Sequence, residues 1–247
     1  MKNIVLAAGY ATRLYPLTEN FPKPLLVIGK TTILDKLIAD IDKIDEIDEH
    51  IIVTNHKFLV HFNEWKEKSC YKKPITIIDD GSVENDKRLG AVMDLQLAIK
   101  EKSLQNDDLL VIAADNILDF SFKGFIDYFN EKKTSLIMTH HEPSIAALQR
   151  TGVIVIDNNN KVIEMQEKPQ EPKSHNAVPP FYIYKKDDLI HINRCISEGC
   201  KTDAPGNLVN FMLAKTTFHA WEMAGKRFDI GTLDTYYEVK DKEKIFE

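Results

Sequence analysis

Gly9, Arg13 and Lys23, in the stretch AAGYATRLYPLTENFPKP, are the residues whose types and spacing best suit chemistry. Glycine can take positive φ or let a ligand approach the backbone closely. Arginine presents a planar fork of donors that matches phosphate oxygens. Lys23 lies between Pro22 and Pro24, which restrict the backbone and so limit where its side chain can reach. Taken singly, these are a turn glycine and two solvated charges; taken together, they describe a loop that grips an anion. The Walker A pattern GxxxxGK[ST] is absent, and Gly9 lacks the glycine partners of the dinucleotide fingerprint GxGxxG.

The elements that position this loop follow from the hydrophobic pattern. KNIVLA predicts a strand and TILDKLIADIDKI an amphipathic helix; HIIVT predicts a second strand, with a helix from His56 to Lys68. PITIID, DLLVIAAD and TSLIMTHH predict further strands, separated by helices in RLGAVMDLQLAIKE and FKGFIDYFNEKK. This βαβα order argues for an α/β, Rossmann-like, doubly wound and mostly parallel mixed sheet, whose ligands bind beyond the carboxyl ends of the strands. In the second half GVIVIDNNNKVIEMQEKP predicts a hairpin and VPPFYIYKK a strand. Helices are expected at Asp187 to Ser197 and Gly206 to Lys215, short strands at FHAWEM and KRFDI, and a closing helix from Leu233. No linker composition appears, so 1–247 reads as a single domain.

Two aspartates fall on the rim where ligands are expected. Asp115 ends the run LLVIAA, and Asp229 follows a short strand just before Gly231. An isolated aspartate at such a place is more often a turn or cap residue. His140 and His141 are neighbours in a strand, so they point to opposite faces and do not share one ion.

Of 247 residues, 43% are hydrophobic and 28% charged, which suits a soluble domain with a sizeable core. The formal charge of -6 disfavours nucleic acid, which calls for a basic face. The run Ile4 to Ala8 is too short for a signal segment or membrane span. Cys70, Cys195 and Cys200 form no CxxC pair and are odd in number, so reduced thiols in a cytoplasmic protein are expected.

With these residues in view, LAAGYATRLYPLTENFPKPLL resembles LAxGxGTRLxPLTxxxPKPLL, the signature of the sugar-1-phosphate nucleotidyltransferases. The resemblance implies the nucleotide-diphospho-sugar transferase type of fold. Its nucleotide-binding part would span about residues 1–120 and its sugar-phosphate part about 121–232. Matched motifs end at Thr232, leaving too few residues for the β-helix domain that some relatives append. It further implies that Leu6, Ala7, Ala8, Gly9, Tyr10, Ala11 and Thr12 wrap the nucleoside triphosphate, with Arg13 and Lys23 on its phosphates as the catalytic pair. AADN resembles the GDN metal motif and RFDIGT the WxDxGT motif, which makes Asp115 and Asp229 the Mg²⁺ ligands and Asp115 a nucleotide contact. RLGA resembles an LGTAGA-like turn, with Gly90 near the base or ribose. Asn116, Gly152, the Glu167 and Lys168 of EKP, and Tyr182 fall to the sugar phosphate. One departure stands in the loop: Ala11 replaces a glycine, and alanine disfavours positive φ.

The implied reaction is sugar 1-phosphate plus NTP giving NDP-sugar and pyrophosphate, with dTTP or UTP and glucose 1-phosphate as the default. GTP with a mannose- or heptose-type 1-phosphate, a phosphocholine or phosphonate cytidylyltransferase, and a non-catalytic nucleotide-sugar sensor are the rivals. Asn85, Asp86 and Arg88 are polar candidates without assigned roles, and the base stays open. Oligomeric state stays open too, homo-oligomers being common in the family.

Overall fold

The computed structural model describes residues 1–241, and the chain divides into two compact units. The first unit comprises residues 1–88, 113–123 and 224 onward; the second comprises 89–112 and 124–223. The first opens with β1 (Lys2–Leu6), two-residue strands β2 (Val27–Ile28) and β3 (Thr31–Thr32), α1 (Ile33–Ile41), β4 (Glu49–Thr54), α2 (Leu59–Lys68) and β5 (Ile75–Asp79). The second unit takes α3 (Ala91–Glu101) and β6 (Leu109–Ala113), before the chain returns to the first for β7 (Asn116–Leu118). Next come α4 (Lys123–Lys132), β8 (Ser135–His141), α5 (Ile145–Leu148), β9 (Gly152–Ile156), β10 (Val162–Glu167) and β11 (Asn176–Val178). β12 (Phe181–Tyr184), α6 (Ile190–Ser197), α7 (Pro205–Met212) and β13 (Phe218–Glu222) finish the second unit. β14 (Arg227–Asp229) and α8 (Leu233–Asp241) finish the first.

In the first unit β1, β4 and β5 pair in parallel, with Ile4 opposite Ile51 and Ile51 opposite Thr76. Parallel strands are covered on both faces, which is why Ile4, Val5, Ile51, Ile52 and Val53 are all inaccessible to solvent. α1 buries Ile33, Leu34, Leu37, Ile38 and Ile41, one stripe of a 3.6-residue period. A capping box starts this helix: the Asp35 N–H donates to Thr32 Oγ1 (3.0 Å) and the Thr32 N–H to Asp35 Oδ2 (3.0 Å).

A buried histidine makes this unit acid-sensitive. Asn3 Nδ2 donates to His50 Nδ1 (3.0 Å), so the ring proton sits on Nε2 and faces Asp42 Oδ1 at 3.3 Å. Burial pushes the His50 pKa down, against the opposing pull of Asp42. The unfolded chain therefore takes up a proton near pH 6.5 while the folded chain does not. Folding stability is predicted to fall as pH drops through about 6.5 and to level off below the folded pKa. His50→Gln should flatten that slope in urea titrations at several pH values; an unchanged slope would contradict it.

In the second unit the strand order is β10-β9-β11-β8-β12-β6, with β13 parallel to β8. The other pairs in this unit are antiparallel, and they include the expected hairpin β9–β10 with Gly152 opposite Glu167. The segment VPPFYIYKK forms two strands, β11 and β12, because Pro179 and Pro180 carry no N–H for a ladder.

The expectation of reduced thiols fails for one pair. Cys195 and Cys200 are joined by a disulfide, and among the described residues Cys70 is the free thiol. Gly199, at φ 79, turns the chain back after α6, so the Cys200 N–H reaches the Cys195 carbonyl at 3.0 Å. His140 and His141 sit in β8 opposite Ala177 and Asn176. Among the described residues no group of three or more His, Cys, Asp or Glu is placed to hold a metal ion. Nor is any helix among them long and apolar enough to cross a membrane.

Candidate active site

The anion loop is tied down from both sides. The Ala7 N–H donates to the Val53 carbonyl (2.8 Å), and Asn55 Nδ2 donates to the Ala8 carbonyl (3.0 Å). Tyr10 is buried, its ring 6.1 Å from that of Phe58 and its hydroxyl 3.4 Å from Ser82 Oγ. Burial pushes its phenol pKa up. Residues Thr12–Leu14 then form one 3-10 turn and Lys23–Leu25 another, the second entered from the extended Pro22.

Ala11 occupies the left-handed conformation, φ 46 and ψ 42, at the start of the first turn. Its carbonyl accepts from the Leu14 N–H (2.9 Å) and from Thr18 Oγ1 (2.8 Å), so hydrogen bonds hold it there. The loop keeps the conformation that suits glycine and carries its steric cost instead, about 1–2 kcal/mol. Glycine's greater freedom in the unfolded chain takes back about 0.5–1 kcal/mol of any gain. Ala11→Gly is therefore predicted to raise stability by about 0.5–1 kcal/mol, seen as a higher urea midpoint at constant slope. A lower midpoint would contradict it.

Four of the expected residues converge in this unit. Lys23 is buried at 7% exposure, and its Nζ lies 3.1 Å from Asp115 Oδ2. The Ile230 N–H donates to the Asp115 carbonyl (3.1 Å), which ties the turn bearing Asp115 to the one bearing Asp229. Asp229 itself ends β14, opposite Asn116 of β7. A Cβ added to Gly231 would stand 3.4 Å from Asp229 Oδ2 and 3.9 Å from Arg13 Nη1. Glycine there leaves the space between carboxylate and guanidinium open. A cavity of about 170 Å³ is lined by Gly9, Ala11, Arg13, Lys23, Asp115 and Gly231, among others.

What holds these groups in place is one apolar cluster that includes Leu14, Leu26, Ile117 and Ile230. Each of these residues follows a polar one of the site within three positions: Arg13, Lys23, Asp115 and Asp229. Burial of such a side chain contributes about 1.5–3 kcal/mol, so each polar group is anchored beside its own hydrophobic plug.

Asn116 is fully buried and bridges the site, donating to Asp115 Oδ1 and accepting from Arg227 Nη1 at 2.8 Å. The structure thus gives it an orienting role that the motif alone does not convey. Asp115 and Asp229 offer the hard oxygen donors that Mg²⁺ takes, and they need phosphate oxygens or water to complete its shell. This donor set fits the ion. Thr232 caps the helix that follows: the Thr235 N–H donates to Thr232 Oγ1 at 3.3 Å.

The remaining expected residues lie in the second unit. Gly90 caps α3 at φ 93, and a Cβ there would stand 2.7 Å from the Thr202 carbonyl oxygen. Gly152 faces Met165 closely: an added Cβ would stand 2.5 Å from Met165 Cε and 3.3 Å from Val178 Cβ. Among the described residues the Glu167 carboxylate accepts no hydrogen bond, and the Lys168 Nζ lies 3.9 Å away. Burial raises the Glu167 pKa; Lys168 opposes this and Asp203 adds to it. Lys168 adopts φ 48, its N–H donating to the Thr151 carbonyl (3.1 Å), a conformation unusual for a non-glycine residue. Tyr182 is buried at 3% exposure and stacks on Tyr184 at 5.9 Å. Gly206, Thr202 and Arg227 belong to these constellations yet carry no local motif; only the tertiary contacts reveal them.

The chain belongs to the nucleotidyl transferase family, whose model matches residues 2–244. It is 33% identical to the bifunctional protein GlmU of Methanococcus aeolicus, over 96% of this chain and 54% of that protein. It is 27% identical to glucose-1-phosphate adenylyltransferase of Fervidobacterium nodosum, over 97% of this chain and 61% of that protein. The chain thus spans less than two thirds of the length of these relatives. Among solved structures, UDP-glucose pyrophosphorylase complexed with UDP-glucose superposes with a TM-score of 0.82 at 19% identity, covering 98% of each chain. The fold is therefore the expected α/β type of the nucleotide-diphospho-sugar transferases.

Proposed function

We propose that this chain transfers a nucleotidyl group from a nucleoside triphosphate to a sugar 1-phosphate, giving an NDP-sugar and pyrophosphate. UTP or dTTP with glucose 1-phosphate is the preferred pair. The observation that carries the reading is the buried Lys23 in direct contact with Asp115 at 3.1 Å, on the wall of a small cavity that Arg13 also lines.

The nucleophile, a phosphate oxygen of the sugar 1-phosphate, is already anionic, so no general base is needed. It attacks the α-phosphorus in line, and the bond to pyrophosphate breaks. Arg13 and Lys23 neutralise charge that builds on the phosphates, Lys23 being held in advance by its burial and its contact with Asp115. Mg²⁺ held by Asp115 and Asp229 would add charge stabilisation and orientation of the phosphate oxygens. In the second unit, Glu167 is suited to accept from sugar hydroxyls and Lys168 to pair with the sugar phosphate. Gly90 lets a base or ribose come close to the backbone.

A screen for pyrophosphate release tests this, pairing the four common NTPs and dTTP with a panel of sugar 1-phosphates in the presence of Mg²⁺. Release with UTP or dTTP and glucose 1-phosphate is expected. Greater release with GTP and a mannose-type 1-phosphate would overturn the substrate pair and keep the reaction class.

A further inference from the structure

The segment 200–206 leads from α6 into α7 and touches two of the expected binding elements at once. The Thr202 carbonyl accepts the Val92 N–H at 3.0 Å, in the first turn of α3 just past Gly90. A Cβ on Gly90 would stand only 2.7 Å from that same oxygen. Further along, a Cβ on Gly206 would stand 2.1 Å from Glu167 Oε2 and 2.6 Å from Met165 Cε. Side-chain carbons do not approach this closely, so Gly206 at the start of α7 is what gives the Glu167 carboxylate its seat. The other end of the segment is anchored, since Cys200 is bonded to Cys195 of α6.

Resting on the sugar-phosphate role given to Glu167 above, we infer that segment 200–206 is a positioning strap. Gly206 aims the Glu167 carboxylate at the sugar hydroxyls, and Thr202 fixes the Gly90 turn for the nucleotide. A mostly buried carboxylate that accepts no hydrogen bond among the described residues carries a desolvation cost. A ligand hydroxyl arriving at Oε2 would relieve it. The charged and titratable neighbours of Glu167 are Lys168, which favours its ionised form, Asp203, which disfavours it, and Tyr182. Asp203 lies on the strap itself, so the strap positions the group and adds to the rise in proton affinity that burial causes.

Steady-state kinetics of Gly206→Ala tests this. The KM for sugar 1-phosphate is expected to rise at least about tenfold with the KM for NTP within about twofold, because the atoms an added Cβ would displace, Glu167 Oε2 and Met165 Cε, both belong to β10. Asp203→Asn, which changes charge and not shape, should move the acidic limb of kcat/KM for sugar 1-phosphate to lower pH. Folded Gly206→Ala with an unchanged sugar KM, or Asp203→Asn with an unmoved limb, overturns the strap alone. Wild-type protein that turns over no sugar 1-phosphate overturns the functional reading and the strap together.

Discussion

Lys23→Ala is expected to lower turnover by about 10²-fold or more, the scale of losing one preorganised charge-stabilising group. The reason is local. Lys23 is held between two prolines in a 3-10 turn, with its stem buried and its ammonium 3.1 Å from Asp115. A side chain so placed needs no reorganisation when negative charge builds on a phosphate beside it. About 10²-fold corresponds to about 2.7 kcal/mol of transition-state stabilisation. The effect on stability should be far smaller, because Asp115 is 39% exposed and an ion pair with one solvated partner contributes about 0–1 kcal/mol. Loss of turnover with a retained urea midpoint therefore marks a role in the reaction. Near wild-type turnover would remove Lys23 from it.

Asp115→Asn and Asp229→Asn are expected to raise the Mg²⁺ concentration for half-maximal activity by at least about tenfold, since loss of even an outer partner costs 10–100-fold in metal affinity. The two variants should differ in their side effects. Asp115 also pairs with Lys23 and accepts from Asn116, so its amide variant disturbs the cation as well. Asp229 is exposed at the end of β14, so its variant should report on the metal more cleanly. A magnesium titration that is unchanged in both would refute the assignment.

The fold was legible where local pattern and burial agree. Parallel strands such as HIIVT bury every residue, and α1 carries its stripe and capping box within ten residues of sequence. The anion loop was legible because its chemistry is local, in Gly9, Arg13 and the Pro-Lys-Pro turn. The Lys23–Asp115 pair was not, since 92 residues separate them and only the folded chain brings them together. Ala11 shows the limit of residue preference. Alanine disfavours positive φ, yet two hydrogen bonds to its carbonyl and the packing of Leu14 keep it there. The Cys195–Cys200 pair was missed because its spacing depends on Gly199 turning the chain after a helix. Gly206 was missed for a related reason: its importance lies in what it leaves room for.

The most direct test is phosphorus NMR of the wild-type protein with UTP or dTTP, glucose 1-phosphate and Mg²⁺. Nucleotidyl transfer predicts that the triphosphate and sugar phosphate resonances decline together while pyrophosphate and a diphosphate ester appear in equal amounts. Neither product should form when the sugar phosphate is left out. Triphosphate that binds and stays intact with every sugar 1-phosphate tried would contradict it and point to a nucleotide-sugar sensor.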